Sequence, residues 1–192
     1  MKFILFDTET NGFGDASLLS VSAIKAQYDG VELKEIDRYN KFYYRLPCEK
    51  ANINAINVNG LNTEKIEEYR EGCSYPLYFI EDTEEFWNFC KDSKGFIAHN
   101  IKFDEGFVPF KLWNKFCTQT AIGNIDGYGN KNKKLLNLAE YYGLEVEAEN
   151  LHGSMYDTEI LFEIVKKMLE SNNDSIKSFI QSGTEFSEIG SA

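Results

Sequence analysis

No C-x-x-C pair occurs among the four cysteines, Cys48, Cys73, Cys90 and Cys117. That spacing excludes a zinc ribbon or a disulfide framework and reads as reduced, mostly buried thiols. Arginine is scarce, with only Arg38, Arg45 and Arg70, and 31 acidic residues against 20 basic ones leave a formal net charge of −11. A chain so acidic is unsuited to coating long duplex nucleic acid, which demands that many phosphates be neutralised. It remains compatible with an enzyme that grips one or two nucleotides through metal ions. No apolar run approaches the roughly 18–20 residues of a membrane-spanning helix. The apolar stretch near the N-terminus, Phe3 to Phe6, is also too short for a secretory signal. A soluble, cytoplasmic protein with no membrane partner is expected.

What the chain does have is 43% hydrophobic and 15% aromatic residues over 192 positions, enough for one domain with a substantial core. Residues 2–6 read as a short buried strand. Residues 18–28 alternate like a strand and end at Asp29-Gly30, a hairpin turn signal. A third strand is expected from Tyr39 to Leu46, stopped by Pro47. Asp82 and Glu85 have N-cap and N3 spacing for a helix running to about Lys91. Gly95–Ala98 reads as a compact strand, Leu135–Tyr142 as a helix closed by Gly143, and Ser154–Glu170 as the longest helix. Strands followed by alternating helices and strands predict an α/β domain, a mixed sheet flanked by helices. The domain is expected over residues 1–170. Residues 171–192, polar and Ser-rich, read as a loosely attached tail that is flexible or binds a partner.

Asp-Thr-Glu occurs three times, at 7–9, 82–84 and 157–159. The copy at 82–84 stands where a helix begins, and capping accounts for it. The copy at 7–9 follows directly from an apolar strand. Asp7 and Glu9 therefore share one face, about 6–7 Å apart. Two such carboxylates at the end of a buried strand are unfavourable unless a cation lies between them. A divalent metal such as Mg²⁺ would relieve them, and a plain strand end at the surface is the even alternative. Asp157 lies three and four residues before Ile160 and Leu161, on the core side of its helix, although Ser154-x-x-Asp157 also matches a capping box. His152 precedes Asp157 by five residues, about 140° away on a helix, and so is placed on the preceding loop, able to swing over the same site. Asp104 follows the strand 95–98 at the carboxyl edge of the sheet, where open α/β sheets place ligands. His99 reads as a hydrogen-bonded structural histidine.

In order, Phe6-Asp7-Thr8-Glu9-Thr10-Asn11-Gly12, Ala98-His99-Asn100-Ile101-Lys102-Phe103-Asp104 and His152-x-x-x-x-Asp157 resemble the DEDDh, DnaQ-like 3′→5′ exonucleases. This group includes the proofreading subunit of bacterial replicative DNA polymerase. The stretch Leu135-x-x-Leu138-Ala139-x-x-Tyr142-Gly143-Leu144 resembles the segment before that group's third motif. The resemblance spans roughly residues 1–170. It implies a ribonuclease H-like fold and a metal-dependent phosphodiesterase holding two divalent ions, Mg²⁺ or Mn²⁺. Asp7, Glu9, Asp104 and Asp157 would be the ligands and His152 the general base, suited by an ordinary pKa near neutrality. The substrate would be a single-stranded 3′ end, DNA favoured over RNA, degraded to nucleoside 5′-monophosphates, with an RNA or oligoribonucleotide exonuclease of the same family as the alternative. Thr8, Thr10, Asn11, Gly12, Asn100 and Phe103 would meet the terminal nucleotide, and a polymerase subunit is the implied protein partner.

The chain departs from the family pattern at Pro109, where relatives continue a helix, and at Gly153-Ser154-Met155-Tyr156. Lys131, Lys133 and Lys134 form a basic cluster, read either as a contact to the incoming strand's phosphates or as an ordinary solvated loop. A non-catalytic binding subunit is disfavoured by five intact catalytic positions. A carboxylate-pair glycosidase would leave Asp104, His152 and Asp157 without a role.

Overall fold

The computed structural model describes residues 1–122, 133–147 and 151–185. β1 (Lys2–Thr10) is the middle strand of a five-stranded sheet of order β3-β2-β1-β4-β5. It pairs antiparallel with β2 (Leu18–Tyr28), which pairs antiparallel with β3 (Leu33–Phe42). On its other side β1 runs parallel to β4 (Phe96–Ala98), which runs parallel to β5 (Lys115–Cys117). This is the expected mixed sheet.

β1 carries an unbroken apolar run because both of its faces are covered. Phe3 and Leu5 pack with Leu161, Ile164, Val165 and Met168 of α7 (Ser154–Glu170), together with Leu138 and Ala139 of α6 (Leu135–Tyr141). Ile4 and Phe6 face the opposite layer, where Phe86 of α3 (Thr83–Cys90) and Ile101 of α4 (Ile101–Glu105) lie. Strand alternation then sends Asp7 and Glu9 towards the α7 side and Thr8 towards α4. α1 (Ile53–Asn59), α2 (Thr63–Tyr69) and the short α5 (Thr118–Ala121) complete the connections before α6.

Several expectations need correction. The third strand runs Leu33–Phe42, not 39–46, because the turn at Asp29 pairs Leu33 with Tyr28. Its outward residues Lys34, Glu35, Asp37 and Arg38 are those of an exposed edge and hide the strand pattern. Asp82 does not cap α3. Its carboxylate accepts hydrogen bonds from Tyr39, Tyr43 and Lys41. Cys48 and Cys73 are exposed, and only Cys90 is fully buried. Within the tail expected over residues 171–192, Asp174–Glu185 form the helix α8. Ile176, Phe179 and Ile180, at helical spacing, are buried, and Phe179 lies 5.3 Å from both Phe3 and Phe116. Residues 186–192 and Lys131 lie outside the described residues. No helix among the described residues is long and apolar enough to cross a membrane.

Candidate active site

Four acids from three parts of the chain meet at the carboxyl end of β1. Asp7 and Glu9 come from the strand itself, Asp104 from α4 and Asp157 from the first turn of α7. The start of α7 is held by hydroxyls rather than by a capping box. Ser154 Oγ lies 2.9 Å from Ser20 Oγ and 2.7 Å from Ser22 Oγ, and Thr158 Oγ1 donates to the Ser22 carbonyl. These contacts fasten α7 to β2 at the point where it carries Asp157, so Ser154 positions a carboxylate rather than capping a helix.

The electrostatics are those of acids without enough positive charge. Burial, then the charges of Asp104, Glu9 and Asp157, push the Asp7 carboxyl well above its ordinary value. Glu9 is pushed up to about 8 by burial and by Asp157, with the Asn59 side chain opposing. Burial likewise raises Asp104 to about 7, although the Thr8 amide and hydroxyl, 3.1 and 2.8 Å from its Oδ1, counter it. Burial raises Asp157 to about 6. Its Oδ2 accepts the backbone N–H of His152 at 3.3 Å, while its Oδ1 is buried and has no hydrogen-bond partner among the described residues. One ligand atom from each of Glu9, His152 and Asp157 lies within 4.8 Å of the others. An orphaned carboxylate oxygen beside further hard oxygen donors fits a divalent cation such as Mg²⁺.

His152 sits on the loop before α7 in the left-handed region, φ +68°, with its side chain exposed at the rim of the acids. His99 stands apart from them. Its Nε2 is 2.9 Å from the Lys133 carbonyl, which can only accept, so Nε2 carries the proton and Nδ1 accepts from Thr118 Oγ1 at 2.9 Å. Burial keeps this ring's pKa below the ordinary histidine value.

The residues expected to meet substrate divide into two sets. Thr8 turns inward to Asp104. Thr10 Oγ1 donates to the Gly12 carbonyl, and Asn11 bonds Glu49, Lys50 and Asn52. These side chains shape the turn after β1. At Gly12, φ +152° strains any residue with a side chain, and a Cβ would also press on the Asn52 side-chain amide, Nδ2, at 2.9 Å. Asn100 and Phe103 remain accessible, and Phe103 contacts a residue that the sequence reading missed. Phe13 is 88% exposed, with its ring 5.9 Å edge-on from Phe103. Its signal was present in the sequence, since a large aromatic between Gly12 and Gly14 has little local means of burial. α4 stops at Glu105, before Pro109, and Phe107 folds back to 5.0 Å from Phe103.

A ribonuclease H-like sheet with four acids at the end of its central strand defines a class of nuclease. The RNase_T exonuclease family matches residues 4–165, and the chain belongs to that family. It is 24% identical over 185 residues to the DNA polymerase III subunit epsilon of Haemophilus influenzae, covering 86% of this chain and 66% of that protein. Its fold is similar to Exonuclease X in complex with 5′ overhanging duplex DNA, with TM-score 0.67, 16% identity and coverage of 92% and 98% of the two chains. It is also similar to the nuclease domain of 3′hExo, a DEDDh family member bound to rAMP, with TM-score 0.66, 10% identity and coverage of 88% and 92%.

Proposed function

We propose that this protein is a 3′→5′ exonuclease that removes nucleoside 5′-monophosphates from single-stranded ends, with DNA preferred over RNA. The observation that carries this reading is the cluster of Asp7, Glu9, Asp104 and Asp157, all raised in pKa, with Asp157 Oδ1 unpartnered among the described residues. Asp7, Glu9, Asp104 and Asp157 would hold two divalent ions, Mg²⁺ or Mn²⁺, whose chemistry is Lewis-acid stabilisation of the attacking and leaving oxygens of an in-line displacement.

The chain's own residues do the rest. His152, at the rim of the acids, accepts the proton of the attacking water. Its exposed loop position leaves the ring free to approach and leave. The Thr8 hydroxyl and amide keep Asp104 turned into the site. The turn at Gly12 presents backbone to the terminal nucleotide, Asn100 offers an amide, and Phe13 and Phe103 offer ring faces to its base. Aromatic stacking suits any base, which matches an enzyme that degrades without regard to sequence. DNA is favoured because the polymerase III subunit is a DNA-polymerase component, and by the same likeness a polymerase subunit is the proposed partner.

His152→Ala is expected to lower the rate by roughly 10²–10⁴-fold with metal affinity little changed, measured by single-turnover kinetics and calorimetric titration of Mn²⁺. Loss of Mn²⁺ binding would instead make His152 a ligand. Phe13→Ala should leave the melting temperature unaltered, since the ring is exposed, and lower kcat/KM on oligonucleotides by roughly 10–100-fold, mostly through KM. An unchanged KM would remove Phe13 from the base site.

The reading as a whole is tested with 5′-labelled DNA and RNA of one sequence, with Mg²⁺ or Mn²⁺, an EDTA control and the Asp7→Ala protein alongside. A metal-dependent ladder shortening from the 3′ end, faster on DNA, is the expected result. Faster cleavage of RNA would reverse the preference, and no ladder on either strand would make the chain a binding subunit.

A further inference from the structure

Glu9 sits where β1 stops being regular. It stands opposite Ser20 of β2, but Thr10 stands opposite Leu18, so the ladder slips by one residue between them. A bulge re-aims the side chains beside it, and Glu9 therefore takes its direction from whatever holds the strand at this point.

That hold comes from α1. None of the residues of α1 is buried, and polar contacts tie both of its ends to the end of β1. The Asn52 N–H donates to Asn11 Oδ1 at 2.9 Å, and Asn59 Nδ2 donates to the Thr10 carbonyl at 3.0 Å. Asn59 Oδ1 accepts the Leu61 N–H at 3.0 Å, brought round by Gly60 in the left-handed region, φ +70°. A backbone N–H can only donate, so the amide oxygen is committed to Leu61 and the NH₂ group is left for β1. Besides the Thr10 carbonyl, the Asn59 side chain hydrogen-bonds the Glu9 carboxylate. Asn59 and His152 also line one cavity of about 330 Å³, together with Ser20 and Ser154. The amide thus reaches the acids from the side opposite α4.

We propose that Asn59 is a positioning residue for cation binding: it holds Glu9 turned towards Asp157 and His152 before an ion arrives. The proposal rests on the metal site of the nuclease reading and adds to it a residue that is not a ligand. Glu9, His152 and Asp157 offer ligand atoms within 4.8 Å of one another. The charge of Asp157 opposes that approach, and the Asn59 amide is the group that favours it. Without the amide, Glu9 turns away from Asp157, and part of the binding free energy of the ion is spent on turning it back.

The test compares wild type with Asn59→Leu, which keeps the bulk and removes both donors, with Asn59→Ala, and with Asn52→Ala. The last removes the side chain that accepts from the Asn54 and Ala55 N–H groups and so loosens the other end of α1. The readouts are Mn²⁺ Kd by calorimetric titration, the melting temperature without metal, and the Mn²⁺ concentration giving half-maximal hydrolysis of a 5′-labelled oligothymidylate. Residues that orient a metal ligand typically contribute about 10–100-fold in affinity, so both Asn59 variants should raise the Mn²⁺ Kd on the order of tenfold. Half-maximal hydrolysis should shift by the same factor, with KM for the oligonucleotide unchanged and kcat recovered in excess Mn²⁺. Asn52→Ala should lower the melting temperature and leave the Mn²⁺ Kd unaltered. If Asn59→Leu does not fold, Asn59→Ala supplies the reading. An unaltered Kd in a folded Asn59 variant, or an equal weakening in Asn52→Ala, overturns the positioning role. A wild type that binds Mn²⁺ without hydrolysing either DNA or RNA, alongside weakened binding in Asn59→Ala, removes the nuclease reading and keeps the role of Asn59. Hydrolysis with one Mn²⁺ dependence in all four proteins removes that role alone, and a wild type that binds no Mn²⁺ removes both.

Discussion

Asp7→Ala is expected to lower nuclease turnover by at least about 10³-fold while raising the melting temperature of the metal-free protein. The loss follows from removing the carboxylate most strongly coupled to the other three, because cation-assisted stabilisation of a displacement amounts to several kcal/mol. The gain in stability follows from the same coupling. Folded-state values of about 8 for Glu9, 7 for Asp104 and 6 for Asp157 stand above their ordinary values of 4.5, 3.8 and 3.8. A raised carboxyl supports the fold fully below its unfolded pKa, and that support is lost as pH rises through the folded one. The metal-free wild type should therefore lose stability steadily from about pH 4 to pH 8. Added Mn²⁺ should reverse the loss at the upper end, by binding the folded state alone. Thermal melts at pH 5 and pH 8, with EDTA and with Mn²⁺, check both the variant and the trend. Near-normal nuclease rates in Asp7→Ala would remove the site assignment, and a metal-free wild type more stable at pH 8 than at pH 5 would remove the electrostatic argument.

The second large effect lies away from the acids. Asp82→Ala should destabilise the protein by about 2–4 kcal/mol, read as a fall in the urea midpoint without a change of slope. Burial pushes the Asp82 carboxyl up, but hydrogen bonds from Lys41 and Tyr43 outweigh it and hold it below its ordinary value. Its Oδ2 takes Tyr43 OH at 2.8 Å, Lys41 Nζ at 2.8 Å and Tyr39 OH at 3.2 Å. Truncation leaves two phenols and an ammonium without this acceptor between β3 and α3. Lys41 keeps Glu85 and its position over the rings of Tyr39 and Tyr75, which keeps the cost below that of an isolated buried charge. A loss under about 1 kcal/mol would mean that the network re-forms around water.

The sequence made the centre of this fold legible and its periphery much less so. β1, β2, α3, α6 and α7 announce themselves through apolar runs, alternation, helical spacing and a closing glycine. β3 and α8 do not, because an edge strand and a one-sided helix carry polar residues on most of their surface. The acids were readable because Asp7 and Glu9 follow an apolar strand and Asp157 falls on the core side of α7. What the reading could not reach was the destination of each hydrogen bond. Asp82 looks like a cap and is the hub of a tyrosine network, Ser154 looks like a cap and grips β2, and Thr10 and Asn11 look like substrate contacts and bind the turn itself. Such partners lie up to 134 residues away in the chain, and no local pattern encodes them.

The order in which the acids occur along the chain has a bearing on how the molecule comes into being. Residues 7, 9 and 104 are already present once β1 to β5 have been synthesised, but Asp157 and His152 arrive only with α7. That helix lays Leu161, Ile164, Val165 and Met168 against Phe3 and Leu5, so one docking event covers this face of β1 and brings in the last carboxylate, before α8 adds Ile176, Phe179 and Ile180 to the same layer. A nascent or half-unfolded chain holds an incomplete set of acids. Under the proposed reading, hydrolytic competence waits on the docking of α7.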